Sequence, residues 1–556
     1  MQAEAQLLVS DPHWTFPMAA VFQIYGSRSL MGLHLAAVDR FTNQAGAGGA
    51  TLPIHLSSFN PNTSHPLFNF SLRLFNTHTN TATMSDMNAT VQETKAGFHV
   101  SGYEKIEYDF EFMDGVFDPK NSQLADCYQR WGRALAVMDA NIFDVYGDEI
   151  QKYFDHYKLE LSIHKTMIGE KAKSIDTLLS IVDSMNKFGV YRKEPVLVVG
   201  GGLVTDVAGF ACAAYRRNTN FIRVPTTVIG LIDASVSIKV GVNYDNYKNR
   251  LGAYHAPMNT FLDFAFLRTL PDAQIRNGFA ELIKISTCAH LDTFNLLDKY
   301  GEQLISTGFG RRDGAPQEVR DAADKINRAG IHEMLKLETP NLHEIGLDRV
   351  IAYGHTWSPL HELIPDPPLR HGHAISIDMA YSATLANLRG ILSDDEHKRL
   401  LNLFSRVGLS MDDDHFTEDI LDKATKAILK TRDGKLRAAV PSPLGSCVFL
   451  NDVEASEMNA ALKKHKEIMK SYPREGKGLE AHVDSSDTGY TTNNKGVENK
   501  ASNSASKSVI NDDVKDGVKP EGKKTAENMA SGPEGVNGVS NPTTNGANSL
   551  GQGECC

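Results

Sequence analysis

Val196-Leu-Val-Val-Gly-Gly-Gly-Leu-Val-Thr-Asp206-Val-Ala-Gly-Phe210 reads as a short apolar strand, a glycine turn and an apolar helix. Lacking β-carbons, Gly200, Gly201 and Gly202 let the backbone approach a diphosphate closely. The helix that follows aims its unpaired N–H groups and positive dipole end at such an anion. The spacing is not G-x-G-x-x-G, so the turn alone does not separate a nucleotide site from an ordinary strand–helix corner.

The flanking text sets the fold. β-like runs at Ala134–Met138, Leu159–Ile163, Val196–Val199 and Phe221–Val224 alternate with helical text such as Ala172–Phe188. That alternation predicts a parallel sheet covered by helices. From Pro271 to about Tyr472 helical periodicity takes over, in Asp272–His290, Glu318–Leu337 and Ala374–Arg389. The expected class is α/β: a Rossmann-like parallel-sheet domain over 97–271, then a mainly α-helical domain over 272–474. A crevice between the two is the expected ligand site. Residues 1–96, rich in Asn and Thr, are expected to be a poorly ordered extension. Residues 475–556 are Gly-, Ser-, Asn- and Lys-rich with Tyr490 as their only aromatic. Such a stretch cannot offset its ordering entropy, and a disordered tail is expected.

A net charge of −11 argues against a broad nucleic-acid surface and leaves room for a local phosphate pocket. No apolar stretch reaches bilayer-spanning length, and the start lacks a basic-then-apolar signal, so no stable membrane association is expected. Cys127, Cys212, Cys288 and Cys447 form no metal or redox pair in sequence. They read as free thiols of a reducing, cytoplasmic compartment. The terminal Cys555-Cys556 pair lacks a strongly basic flank to support a lipid anchor.

Three features in the second half point to a metal. Glu281 lies in the helical run Asn277–Lys284, with Lys284 on the same face. His355, in Tyr353-Gly-His-Thr-Trp, is expected to open a helix, and His371 follows sixteen residues later in Arg370-His-Gly-His-Ala374. Two imidazoles and a carboxylate match a catalytic zinc site with open positions. Each is equally at home as a polar residue at a helix end, and His373 competes with His371. A second group follows the glycine turn: Pro225-Thr-Thr227, Asp233 with Lys239, and Lys248-Asn-Arg250. Such donors can hold a phosphate and the hydroxyls of a polyol. A solvated loop explains Lys248-Asn-Arg250 just as well, but Asp233 and Lys239 interrupt apolar text.

The ordered array of Gly-Gly-Gly with Asp206, Pro225-Thr-Thr, Asp233 with Lys239, Lys248-Asn249, Ala280-Glu-Leu-Ile-Lys284, Gly354-His-Thr and His371-Gly resembles the sugar phosphate cyclases related to 3-dehydroquinate synthase. The resemblance spans roughly residues 97–473. It implies NAD⁺ as a tightly held, recycled oxidant and a divalent metal, Zn²⁺ or another such as Co²⁺, on Glu281, His355 and His371. Asp139, Asn141, Glu170, Lys173, Gly201, Gly202, Asp206, Thr226, Thr227, Lys248, Phe266 and Thr269 take the cofactor positions. Asp233, Lys239, Asn249 and Lys284 take catalytic or substrate positions, and Arg217 reaches the neighbouring subunit of a homodimer.

Departures from the quinate enzymes narrow the substrate. Where those enzymes carry a carboxylate-gripping arginine this chain has Asp348, and Ala352 replaces an asparagine. Pro359 replaces a histidine, and Met334 stands near a cationic position. Losing cations disfavours a carboxylate substrate, and Asp348 is expected to accept hydrogen bonds from hydroxyls. A small phosphorylated sugar, sedoheptulose 7-phosphate, fits that pattern. Gly102–Tyr108, Lys248–His255 and Thr431–Arg437 look most similar to the cyclases that make desmethyl-4-deoxygadusol, also written demethyl-4-deoxygadusol, the ring core of mycosporines. The alternatives are a 2-epi-5-epi-valiolone synthase, a 3-dehydroquinate synthase and an NAD-dependent polyol dehydrogenase. The implied reaction is transient oxidation, phosphate elimination, re-reduction and intramolecular aldol closure.

Overall fold

The computed structural model describes Ala5–Gln6, Val21–Phe22, residues 87–484 except 167, 168 and 246, and Asp487. The expected extension up to residue 86 and the expected tail beyond Asp487, with Cys555 and Cys556, lie outside the described residues.

Two units are present, divided between Lys105 and Ile106. The first contains an antiparallel hairpin of β1 (Met87–Thr94) and β2 (Gly97–Glu104), paired from Met87↔Glu104 to Thr94↔Gly97. This hairpin straddles the boundary expected at residue 97, because its two strands need each other's backbone groups.

In the second unit, β3 (Asp109–Met113), β4 (Arg133–Asp139), β5 (Glu160–Thr166), β6 (Val196–Gly200), β7 (Phe221–Pro225) and β10 (Asn259–Asp263) form one sheet, in the order β3-β10-β7-β6-β4-β5. Every pairing in it is parallel. β6 and β7 are buried at every position, as central strands covered on both faces must be. Helices α1 (Ala140–His156), α2 (Ile175–Phe188) and α3 (Gly202–Ala214) follow β4, β5 and β6. Asp139 and Ser174 cap α1 and α2 with their side chains, and Gly189 ends α2 in the left-handed region. An antiparallel pair, β8 (Lys239–Tyr244) and β9 (Tyr247–Tyr254), then leads into β10.

From Asp272 the chain is mainly helical: α4 (Asp272–Ala289), α5 (Leu291–Ser306), α6 (Gln317–Glu338), α7 (His371–Leu388), α8 (Asp394–Arg406), α9 (Glu418–Thr431) and α10 (Ala455–Met469). A short antiparallel pair, Ala438–Pro441 with Cys447–Leu450, sits between α9 and α10. α4 and α7 are buried along nearly their whole length and form the centre of the domain. They touch where Gly372 meets Asn277, whose side-chain oxygen accepts the Gly372 N–H at 2.5 Å. A β-carbon on Gly372 would fall on the Asn277 carbonyl oxygen.

The stretch expected to begin the tail does not leave the body at residue 475. Met411 N–H donates to Gly476 O, Leu479 N–H to Gly408 O, Arg370 N–H to Ala481 O and Val483 N–H to Pro368 O. Composition averaged over the tail hides this, because backbone pairing needs little apolar side chain.

Candidate active site

The expected cofactor residues lie in three groups: at the glycine turn itself, in the Lys173–Asp206 and Glu170–Lys248 ion pairs, and around Tyr146. Gly201 is the N-cap of α3, and β-carbons would be crowded here. One on Gly200 would lie 3.0 Å from the Asp139 β-carbon, and one on Gly201 3.0 Å from Thr227 Cγ2. A β-carbon on Gly202 would lie 3.1 Å from Ala234. Thr226 N–H donates to Gly200 O, and Thr227 Oγ1 accepts the Gly230 N–H. Asp139 accepts the Asn141 N–H at 2.8 Å, and burial lifts its carboxyl to about 6 against those backbone bonds. Lys173 pairs with Asp206 at 2.6 Å. Glu170 accepts from Asn243 at 2.7 Å and stands 3.5 Å from Lys248. Thr269 shares a 2.8 Å hydrogen bond with Tyr146 of α1, and the Phe266 ring meets the edge of the same tyrosine.

Glu281 from α4, His355 from a turn and His371 from the first residue of α7 converge, their ligand atoms all within 4.8 Å of one another. His371 Nε2 is 3.0 Å from Glu281 Oε1, and its Nδ1 is 3.0 Å from Glu362. His355 does not open a helix: it sits in a turn after Gly354, which has φ +77°, and the next helical turn is Ser358–His361. The buried Asp378 of α7 accepts the N–H groups of Trp357 and Ser358 at 2.5 and 2.9 Å and holds that turn. His373 is turned away, fully buried, with Nδ1 2.9 Å from Ser410 Oγ, which leaves His371 as the ligand candidate.

The charges suit a cation. Burial and then Lys284 push His355 down to about 3, so its imidazole is neutral and free to ligate. Burial opposes ionisation of Glu281, but Lys284 and the two imidazoles outweigh it and hold the carboxyl well below its usual range. Burial likewise opposes a proton on His371, yet Glu362 and the bond to Glu281 raise it to about 9. A buried carboxylate with two imidazole nitrogens is a donor set for a borderline-soft dication, and the residues present fit zinc.

Cationic residues border this triad. Lys284 lies 2.5 Å from Glu281 and 3.6 Å from Asp233. Lys239 is held by Glu338 at 3.1 Å and Glu344 at 3.2 Å. Lys248 reaches Glu362 at 2.5 Å, which joins the cofactor cluster to His371. Asn249 is exposed on β9 with φ +51°, its N–H donating to Asn243 Oδ1. Arg217 is exposed at the turn after α3. Met334 is fully buried in α6.

Asp348 differs from expectation. Its carboxylate is about half exposed and paired with Arg437 at 2.6 Å, because the Thr431–Arg437 turn brings that guanidinium across. One oxygen is engaged by that guanidinium, and the carboxylate keeps further acceptor positions for hydroxyls. Glu338, Glu344, Glu362 and Asp378 carry no motif in the sequence, although Glu362 and Asp378 each interrupt apolar text, as Asp233 does.

Comparison with known proteins agrees with this geometry. The family profile for the 3-dehydroquinate synthase N-terminal region matches residues 163–277, and that for the C-terminal region matches 278–430. A demethyl-4-deoxygadusol synthase of Trichormus variabilis is 55% identical over 399 residues, covering 72% of this chain and 97% of the relative. A 2-epi-5-epi-valiolone synthase of Actinoplanes sp. is 38% identical over 374 residues, covering 66% of this chain and 93% of the relative. The solved 2-epi-5-epi-valiolone synthase of Streptomyces hygroscopicus, with NAD⁺ and Zn²⁺ bound, superposes with TM-score 0.63 at 36% identity, covering 66% of this chain and 99% of that one. Among the described residues no helix is long and apolar enough to cross a membrane. The chain belongs to the 3-dehydroquinate synthase-like sugar phosphate cyclases.

Proposed function

We propose that this enzyme converts sedoheptulose 7-phosphate to demethyl-4-deoxygadusol, with NAD⁺ at the glycine turn and Zn²⁺ on Glu281, His355 and His371. The observation that carries the proposal is the joint placement of the metal-type triad, Lys284 and the Lys248–Glu362 bridge, with Lys248 also 3.5 Å from Glu170 of the expected cofactor set. The 55% identity to the Trichormus enzyme favours the gadusol product over the valiolone. The buried Met334, with Ala352 and Pro359, supports a substrate end without a carboxylate; Asp348, being paired, contributes less to that argument than its sequence position implied.

When bound, NAD⁺ and the dication supply reversible oxidation of a carbinol and polarisation of its oxygen. The chain supplies position and charge. Lys239, Asn249 and Lys284 hold phosphate and hydroxyls, and Asp233, lifted to about 6 by burial against the pull of Lys284, orients Lys284. Gripping both ends of one sugar supplies the proximity that ring closure needs. Arg217 is assigned to the site of a second subunit, in a homodimer. The carbon–oxygen lyase class follows from loss of phosphate. The free thiols of Cys127, Cys212, Cys288 and Cys447, the cysteines among the described residues, suit a reducing cytoplasm.

Purified protein given sedoheptulose 7-phosphate, catalytic NAD⁺ and Zn²⁺ is expected to release phosphate and form a product absorbing strongly in the near ultraviolet. A product of valiolone mass without that absorption moves the enzyme to the sister activity. Stoichiometric consumption of NAD⁺ overturns the cyclase reading in favour of a dehydrogenase.

A further inference from the structure

Residues 476–484 and Asp487 cross the starts of both helices that carry metal-type ligands. Arg370 is the N-cap of α7, directly before His371, and its side chain is only 1% exposed. Its Nε and Nη2 donate to the two Asp487 oxygens at 3.1 and 2.9 Å, and Nη2 lies 3.0 Å from Asp484. Its Nη1 donates to the Glu480 carbonyl. In the second turn of α4, five residues before Glu281, Arg276 donates to the Glu480 carboxylate at 2.6 Å. Gln274 of α4 donates to Asp487 as well.

Electrostatics explains the acids. A cation at a helix N-terminus meets the positive end of the dipole, and a buried one also loses its hydration. Arg370 bears both costs, and Arg276, also buried near the start of its helix, bears the second. Carboxylates at the same ends offset them. The crossing segment also comes very close: a β-carbon on Gly478 would lie 2.6 Å from Ser410 Oγ and 2.7 Å from His373 Cε1. Ser410 bonds His373 of α7 and accepts the Gly478 N–H.

We propose that Glu480 and Asp487 are positioning residues for the metal site: through Arg276 and Arg370 they fix the relative placement of α4 and α7, and so of Glu281 and His371. The proposal rests on the reading of Glu281, His355 and His371 as ligands, and goes beyond it by giving a metal-site role to a stretch outside the expected catalytic domains.

The test uses the full chain with Glu480→Ala/Asp487→Ala together, Arg370→Met and Arg370→Lys. Zinc affinity is read by chelator competition, ligand geometry by the visible absorption of the Co²⁺-loaded protein, and NAD⁺ affinity as the control. The double variant and Arg370→Met are expected to bind zinc at least about 10-fold more weakly, the scale for outer-shell partners of a metal site, and to shift the Co²⁺ bands. NAD⁺ affinity should stay at the parent value, and Arg370→Lys should recover much of the zinc affinity by keeping the ion pairs. Should the double variant not fold, Asp484→Asn and Gly478→Ala carry the same expectation in milder form. Unchanged zinc affinity and Co²⁺ spectrum, even with a lowered melting temperature, overturn the proposal and reduce the segment to a brace. Glu281→Ala separates the two claims: zinc binding that survives it sinks the ligand reading whatever the arginine variants do.

Discussion

A carboxylate oxygen of Glu362 stands 3.0 Å from Nδ1 of His371, which turns the opposite nitrogen of the ring toward Glu281. The other oxygen of Glu362 takes the ion pair from Lys248. One side chain therefore orients a metal-ligand candidate and anchors a cofactor-side lysine.

Glu362→Gln is expected to weaken zinc binding by about 10- to 100-fold, the usual effect of losing a carboxylate behind a ligating histidine. NAD⁺ affinity should fall as well, because Lys248 loses its nearer anion. Titrations of both ligands on one preparation check the pairing; a loss confined to NAD⁺ would show that His371 needs no orienter.

Gly372→Ala should separate α4 from α7. The added methyl meets the Asn277 carbonyl, a backbone atom that cannot rotate away. A cost of about 1–3 kcal/mol in stability is expected, as for other overpacked cores. Metal content after dialysis should drop with it, while Gly434→Ala, at a glycine with open space around it but φ +71°, should cost stability and leave metal content unchanged.

The turn that presents His355 depends on Asp378. Removing its carboxylate in Asp378→Ala leaves the buried N–H groups of Trp357 and Ser358 without their acceptor. Each such group costs about 1–3 kcal/mol, so a clear fall in melting temperature is expected. The Co²⁺ spectrum should broaden as His355 loses its fixed place. A variant with parent stability would mean that the turn holds without Asp378.

NAD⁺ binding should depend on pH through Asp139. Burial lifts this carboxyl to about 6, above its ordinary value of 3.8, so the folded chain holds the proton over a range where the unfolded chain releases it. By linkage, stability falls as pH rises from about 4 to about 6 and changes no further on this account above that. For the cofactor the direction reverses: the ionised form is the better acceptor for a ribose hydroxyl, so NAD⁺ affinity should drop as pH falls through about 6. Calorimetry across that range checks the slope, and Asp139→Asn should flatten it.

Much of this enzyme is legible in its sequence. The apolar run Val196–Val199 and the run Phe221–Val224, apolar but for Arg223, are too short for helices, and both are central strands of the sheet. The three glycines before Leu203 mark a tight turn, where β-carbons on Gly200 and Gly201 would crowd Asp139 and Thr227. Glu281, His355 and a histidine of His371-Gly-His373 stand out as metal-type groups because the order of chemical groups along a chain survives folding. Less was readable where a role depends on who stands opposite. The Asp348–Arg437 pair joins residues 89 apart, and nothing near either one announces the other.

Sequence by itself determined the alternation of strands and helices, the glycine turn and the chemical inventory of the site, because these follow from local periodicity and residue type. Tertiary structure decided between His371 and His373, engaged Asp348, seated Glu362 between two clusters and brought Glu480 and Asp487 back onto the metal helices. Those outcomes turn on side-chain direction and on contacts between distant segments, and they are set only when α4 and α7 pack into one core.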